Sequence, residues 1–151
     1  MKEEIKVVTA KFSELLKEAT KYIANTSEGD LKNKISEGSW SKLEILGHLI
    51  DSGTHNLQRF LEVQFADETY KVRPYNQDEL VKANGYNNAD PMELLSFWLS
   101  INERILQVIG RINEKVFDYQ IQLPNNDISD FKFLYTDYVV HLEHHINQIK
   151  K

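Results

Sequence analysis

Cysteine is absent from the 151-residue chain. That excludes disulfide bonds, thiolate zinc sites and cysteine nucleophiles, so a metal site would have to use histidine, aspartate, glutamate or water. Glycine and proline are scarce, at 6 and 3 residues, and fall mostly between long segments of helical periodicity. No apolar run approaches the roughly 18 residues that a membrane span requires. The opening Met-Lys-Glu-Glu-Ile-Lys lacks the apolar core of a signal peptide. An excess of positive charge is also lacking. The net charge is -5, which speaks against nucleic acid and, more weakly, against anionic membranes as partners. The expected location is the cytoplasm.

What is present suits one helical domain over residues 1–151. A hydrophobic fraction of 41% supports a continuous core, and a charged fraction of 27% is ordinary for a globular chain. Four segments carry helical periodicity, and none reads as a strand. The first runs from about Glu4 to Asn25, with Ile5, Val8, Phe12, Leu15, Ala19 and Tyr22 in steps of three and four on one face. The second begins near Ser41, where Ser41 and Glu44 form an S-x-x-E capping box with Trp40 and Ile45 at the staple positions. Its apolar arc uses Leu46, Ile50, Leu57, Phe60 and Leu61, and it ends near Phe65 to Asp67.

A long connection follows, from about Asp67 to Ala89, containing Pro74, Gly85, Tyr70, Tyr75 and Tyr86. Connections of this length are unusual in small domains and are often functional. A short helix around Gln77 to Lys82 fits inside it. The third long helix opens on Asp90-Pro91-Met92-Glu93, with Asp at the N-cap and Pro at the first helical position. Its stripe is Leu94, Trp98, Ile101, Ile105, Val108 and Ile112. After a second connection from Glu114 to Asn126, the fourth helix starts near Ser129 or Asp130, with Phe131, Leu134, Tyr138, Leu142 and Ile149 on its core face. Four amphipathic helices of this kind form an all-α four-helix bundle.

The five histidines carry the chemistry: His48, His55, His141, His144 and His145. His141 and His145 are four apart, one above the other on a helix, and can chelate one small ion. At about 100° per residue both fall within the core stripe of the last helix, whereas His144 falls outside it. The spacing alone fits two core-edge histidines with ordinary hydrogen bonds equally well. Glu143 stands at the third place of His-Leu-Glu-His-His and projects away from the pair, so this is not a zincin motif. His48 lies more than about 90° off the core face defined by its helix's leucines and Ile50, which marks it as a surface or cleft histidine. His55 shares that side but stands about 10 Å further along the axis, too far to ligate the same ion. Asp51, one turn after His48, is placed to orient its ring.

Two motifs resemble the DinB-like superfamily. One is Ser39-Trp40-Ser41-Lys42 leading through Glu44 to His48-Leu49-Ile50-Asp51-Ser52. The other is Asp137-Tyr138-Val139-Val140-His141-Leu142-Glu143-His144-His145. Tyr75-Asn76-Gln77-Asp78 and the helix around Trp98 and Asn102 extend the likeness over most of the chain, from about Phe12 to Ile149. The resemblance implies an up-down-down-up four-helix bundle. It also implies a metal triad of His48, His141 and His145 holding one divalent ion, zinc or nickel, with water completing the shell. It groups the chain with bacillithiol-transferase-like proteins and metal-dependent hydrolases, whose ion activates a low-molecular-weight thiol or water.

Two function classes follow. The first is a metal-dependent thiol S-transferase or hydrolase acting on a small molecule, with Tyr70, Tyr75 and Asn76 of the long connection walling a substrate cleft. The second is a non-catalytic helical module that acts through association, for example as a homodimer.

Overall fold

The computed structural model describes residues 2–151. Its helices are α1 (Glu3–Ala24), α2 (Glu28–Lys32), α3 (Lys42–Glu62), α4 (Gln77–Asn84), α5 (Pro91–Arg111) and α6 (Phe131–Ile149). The four long ones, α1, α3, α5 and α6, form the bundle. Their starts are chemically marked. Ser41 and Glu44 make both halves of the capping box on α3, Asp90 accepts from the Met92 N–H ahead of Pro91, and Asp130 accepts from the Phe133 N–H. Each side chain satisfies a backbone donor that the helix leaves free. Two short α-helices lie outside the expected set of long helices. The expected short helix is α4, capped by the Asn76 side chain, and α2, capped by Ser27, was not foreseen.

Contacts fix the helix directions. Glu4 pairs with Lys132, Thr9 bonds Tyr135 and Glu18 pairs with Lys150, so α1 and α6 run the same way. Phe60 packs on Phe131 while His48 packs on His141, so α3 opposes α6. The long connection explains the direction of α5. It leaves the C-terminal end of α3 and travels back along that helix, bonding Asn84 and Tyr86 to Asp51. Asn87 then accepts from the Ser41 hydroxyl at the start of α3. The chain therefore enters α5 beside the start of α3 and runs parallel to it, giving the up-down-down-up order.

α3 is the central element. It packs on α5, α6, α4 and α2, and from Leu43 to Gly53 most of its residues are buried on every side. This departs from the sequence expectation of one apolar arc. A helix enclosed on all sides is read poorly by a single-face wheel. Leu61, expected in the arc, is 42% exposed, while Phe60 beside it is fully buried. On α1, Leu16 and Ile23 are buried whereas Val8 and Tyr22 only pack against the core edge. The α6 stripe of Phe131, Leu134, Tyr138, Leu142 and Ile149 is buried as expected.

The expectation of no strand is corrected. β1 (Tyr70–Lys71), β2 (Gln120–Gln122) and β3 (Ile128–Asp130) form a small sheet, with β2 parallel to β1 and antiparallel to β3. At two or three residues each, the strands are too short for any alternating pattern to register. The sheet ties the two connections together where α3 and α5 finish and α6 begins. Among the described residues, no helix is long and apolar enough to cross a membrane.

Candidate metal centre

At the other end of the α3–α6 seam, His48 meets His141 and His145. The three rings stand edge to face, with centroids 5.0 Å (His48–His141), 4.7 Å (His48–His145) and 4.5 Å (His141–His145) apart. His48 Nε2 lies 3.2 Å from His141 Nε2. One ring nitrogen from each of the three fits within 4.8 Å of the others. His48 is fully buried and the other two are half-buried. The sequence wheel, which placed His48 at the surface or in a cleft, is thus overturned by the enclosure of α3.

Gly47 makes that enclosure possible. A Cβ at Gly47 would sit 2.0 Å from Tyr86 Cδ2, so the Tyr86 ring can lie flat against α3 only because no side chain is there. The Tyr86 hydroxyl then donates to Asp51 Oδ1 at 2.6 Å, and Asn84 Nδ2 donates to the same oxygen at 3.3 Å. Asp51 makes no hydrogen bond to His48. Its carboxylate ties the returning connection to α3, which corrects the expectation that it orients the His48 ring. Burial raises the Asp51 pKa, opposed by the Tyr86 hydrogen bond. Asp51 Oδ2 and His48 Nδ1 are both buried without a hydrogen-bond partner among the described residues.

Other neighbours shape the three rings. His145 Nδ1 donates to Gln148 Oε1 at 2.7 Å, which leaves its Nε2 as the free lone pair. Trp40 packs against His48 with centroids 5.0 Å apart and the rings tilted by 34°. Desolvation, then mutual repulsion with the other imidazoles, lowers His48 and His141 to a pKa of about 4 each. Desolvation likewise lowers His145, partly offset by the Gln148 hydrogen bond. At neutral pH all three are uncharged, the form that can donate a lone pair to a cation.

The His48–His141 pair has the spacing of two ligands on one divalent ion, and His145 stands within reach of both. Two nitrogens bound tetrahedrally at ~2.05 Å to zinc lie ~3.3 Å apart, and the His48–His141 separation is 3.2 Å. Three neutral nitrogens leave coordination positions open for an exchangeable ligand, the pattern of catalytic rather than structural sites.

The remaining expected residues fall into place around this cluster. His144 is exposed, and Glu143 pairs with Lys11 at 2.5 Å on the outer face. His55 bonds the Asp51 carbonyl at 2.8 Å and stacks on Tyr75, with centroids 4.2 Å apart. Tyr75 lines a cleft that His141 also lines. Asn76 does not join it: its side chain is exposed and caps α4. Tyr70 bonds Glu62 near the sheet and does not line the cleft shared by His141 and Tyr75. Sequence reasoning missed Gln148, Tyr86, Ser52, Asn56 and Arg59. Only Gln148, three residues after His145 on the same helix, carried a local signal.

Fold and site together define a four-helix bundle of up-down-down-up order with three neutral imidazoles gathered in the seam between two helices. The family model of the DinB superfamily matches residues 4–149. The chain belongs to the DinB superfamily. It is 24% identical over 124 residues, 82% of this chain and 69% of the relative, to the Bacillus subtilis (strain 168) protein named "Putative metal-dependent hydrolase YfiT". The solved structure of YfiT superposes with a TM-score of 0.88 at 21% identity, covering 99% of this chain and 86% of that one, and is described as a four-helix bundle of unusual topology. The mycothiol-dependent maleylpyruvate isomerase superposes with a TM-score of 0.70 at 11% identity, over 91% of this chain and 58% of that one.

Proposed function

We propose that this chain is a metal-dependent enzyme acting on a small molecule, with His48, His141 and His145 as the ligands of one divalent ion, zinc or nickel. The observation that carries the reading is the convergence of three uncharged ring nitrogens within 4.8 Å, two of them 3.2 Å apart. When bound, such an ion lowers the pKa of a thiol or water completing its shell and so supplies a nucleophile at neutral pH.

The chain's own residues do the rest. Burial keeps His48 and His141 unprotonated, and Gln148 holds the His145 ring with Nε2 turned away from the bond it accepts. Trp40 shields His48. His141 faces the cleft beside Ser52, Asn56 and Tyr75, so a substrate enters along the α3–α6 seam. Use of a low-molecular-weight thiol is supported by the likeness to a mycothiol-dependent isomerase, and hydrolysis by the likeness to YfiT.

Metal analysis of the purified protein beside His141→Ala tests the site. Wild type should carry about one equivalent of ion per chain and the variant almost none; equal contents in both would remove the triad. A second experiment separates the chemistries. Metal-dependent consumption of thiols by a generic aryl halide identifies a transferase, and metal-dependent cleavage of a nitrophenyl ester without thiol identifies a hydrolase. Inactivity in both would favour the association module.

A further inference from the structure

Arg59 is a cation for which the fold supplies no anion. It sits on α3 one turn before the helix ends, half-buried. Among the described residues, no carboxylate lies within ion-pair distance of it, although eight other pairs form. Glu62, on its far side, takes the Tyr70 hydroxyl's hydrogen bond instead. The guanidinium is nevertheless held in place. It donates from Nη1 to Asn56 Oδ1 at 3.3 Å and from Nη2 to the Arg73 carbonyl, and it lies 5.5 Å over the Tyr75 ring. Two of its five donors are thereby engaged and the rest of the fork is free. Burial lowers its pKa, as expected for a charge without a counter-ion.

The same side chain lines the cleft that His141 lines, with Ser52, Asn56, Tyr75 and Tyr138 between them. Ser52 and Arg59 are seven residues apart on α3, so about 10 Å of groove separate the turn facing His141 from the turn carrying Arg59. The cleft holds about 120 Å³, room for roughly four waters at ~30 Å³ each. A carboxylate on a short chain fits that space. Asp137 lies at the rim, exposed, and among the described residues is the one opposing charge along the cleft.

We propose that this cleft binds a carboxylate group of the small-molecule substrate, with the Arg59 guanidinium as its anchor and the reacting end of the molecule directed toward His141. A fixed guanidinium fork matches a carboxylate in two parallel hydrogen bonds. The direction toward His141 rests on the metal reading above, but the anchoring does not need the ion.

The test therefore begins with chelated, metal-free protein titrated with glutarate at constant ionic strength and followed by NMR of backbone amides and the Arg59 Nε–H. Glutarate should shift Arg59, Asn56 and Tyr75, and the neutral diamide should not. Arg59→Gln should weaken glutarate about tenfold or more, Arg59→Lys should weaken it less, and Asp137→Asn should strengthen it. Thermal melts establish that each variant is folded; if Arg59→Gln is not, Arg59→Lys and the diamide control carry the test. Equal affinity in wild type and the folded arginine variant, equal binding of the diamide, or no binding up to about 50 mM would overturn the proposal.

A second arm identifies which reactant brings the carboxylate. In metal-loaded protein, an Arg59-dependent preference for 3-mercaptopropionate over 2-mercaptoethanol assigns it to the thiol. Equal binding of the two thiols, with glutarate bound alongside, assigns it to the electrophile. Failure of metal uptake with intact glutarate binding would remove the metal reading and leave the anion site standing.

Discussion

The two ends of the α3–α6 seam are built alike and behave differently. At one end Phe60 meets Phe131, Tyr138 and Tyr135, with ring centroids 5.4, 5.7 and 6.0 Å away. At the other, His48 meets His145 and His141 at 4.7 and 5.0 Å. Both are edge-to-face ring clusters joining the same two helices. The aromatic end satisfies itself: Tyr135 bonds Thr9 at 2.9 Å and Tyr138 donates to Asn102 at 2.6 Å. The histidine end does not, since His48 Nδ1 has no partner among the described residues and its Nε2 faces another imidazole nitrogen. One end is framework. The other is a set of lone pairs that the framework holds in place at a cost.

Four changes break or sharpen that contrast. Phe60→Ala, at the framework end, should have the largest effect, a loss of about 3–5 kcal/mol in denaturant unfolding with metal uptake by the folded fraction unchanged. Gly47→Ala, at the histidine end, forces the Tyr86 ring off α3 and should cost about 1–3 kcal/mol. It should also loosen the Tyr86–Asp51 hydrogen bond, visible as faster amide exchange across residues 84–88. Gln148→Ala should leave unfolding nearly unchanged while weakening metal affinity about 10- to 100-fold in a competitive chelator titration.

The smallest effect, measured over the first pH unit below neutrality, comes from acid. The unfolded chain's imidazoles take up protons near their ordinary pKa of 6.5, whereas His48 and His141 stay unprotonated down to about 4. Acid therefore favours the unfolded state. Stability of the metal-free protein should be level above about pH 6.5 with respect to these groups and fall progressively toward pH 4. His141→Gln should flatten that slope, and an unchanged slope would show that the histidines titrate alike in both states.

The sequence was legible where a signal is local. The capping box at Ser41, the Asp90-Pro91 start and the i, i+4 pair at His141 and His145 each depend on residues within a turn of one another, and each stands where expected. The α6 stripe was read correctly because one face of that helix is apolar over five turns. Features made by distant segments were not legible. His48 looked peripheral because the wheel counts one face, and α3 is enclosed by four other helices. The β1–β2 pairing joins two connections about 50 residues apart through strands too short to show a period. Arg59 drew no reading from the sequence, since nothing near it in the chain shows that its counter-ion is missing.

The distance in sequence between the two halves of the histidine cluster has a consequence for the whole chain. His48 and His141 are 93 residues apart. An ion held by both would be a reversible cross-link closing a loop of that length, in a protein that has no cysteine to make a permanent one. By the chain-entropy relation for cross-links, a loop of about 100 residues is worth roughly 4.7 kcal/mol when the bridge persists in the unfolded chain. An ion that dissociates on unfolding acts instead by mass action, in proportion to its free concentration. The melting temperature of this protein would then track the metal supply of its surroundings, so that depletion of the ion would both silence the site and mark the chain for unfolding.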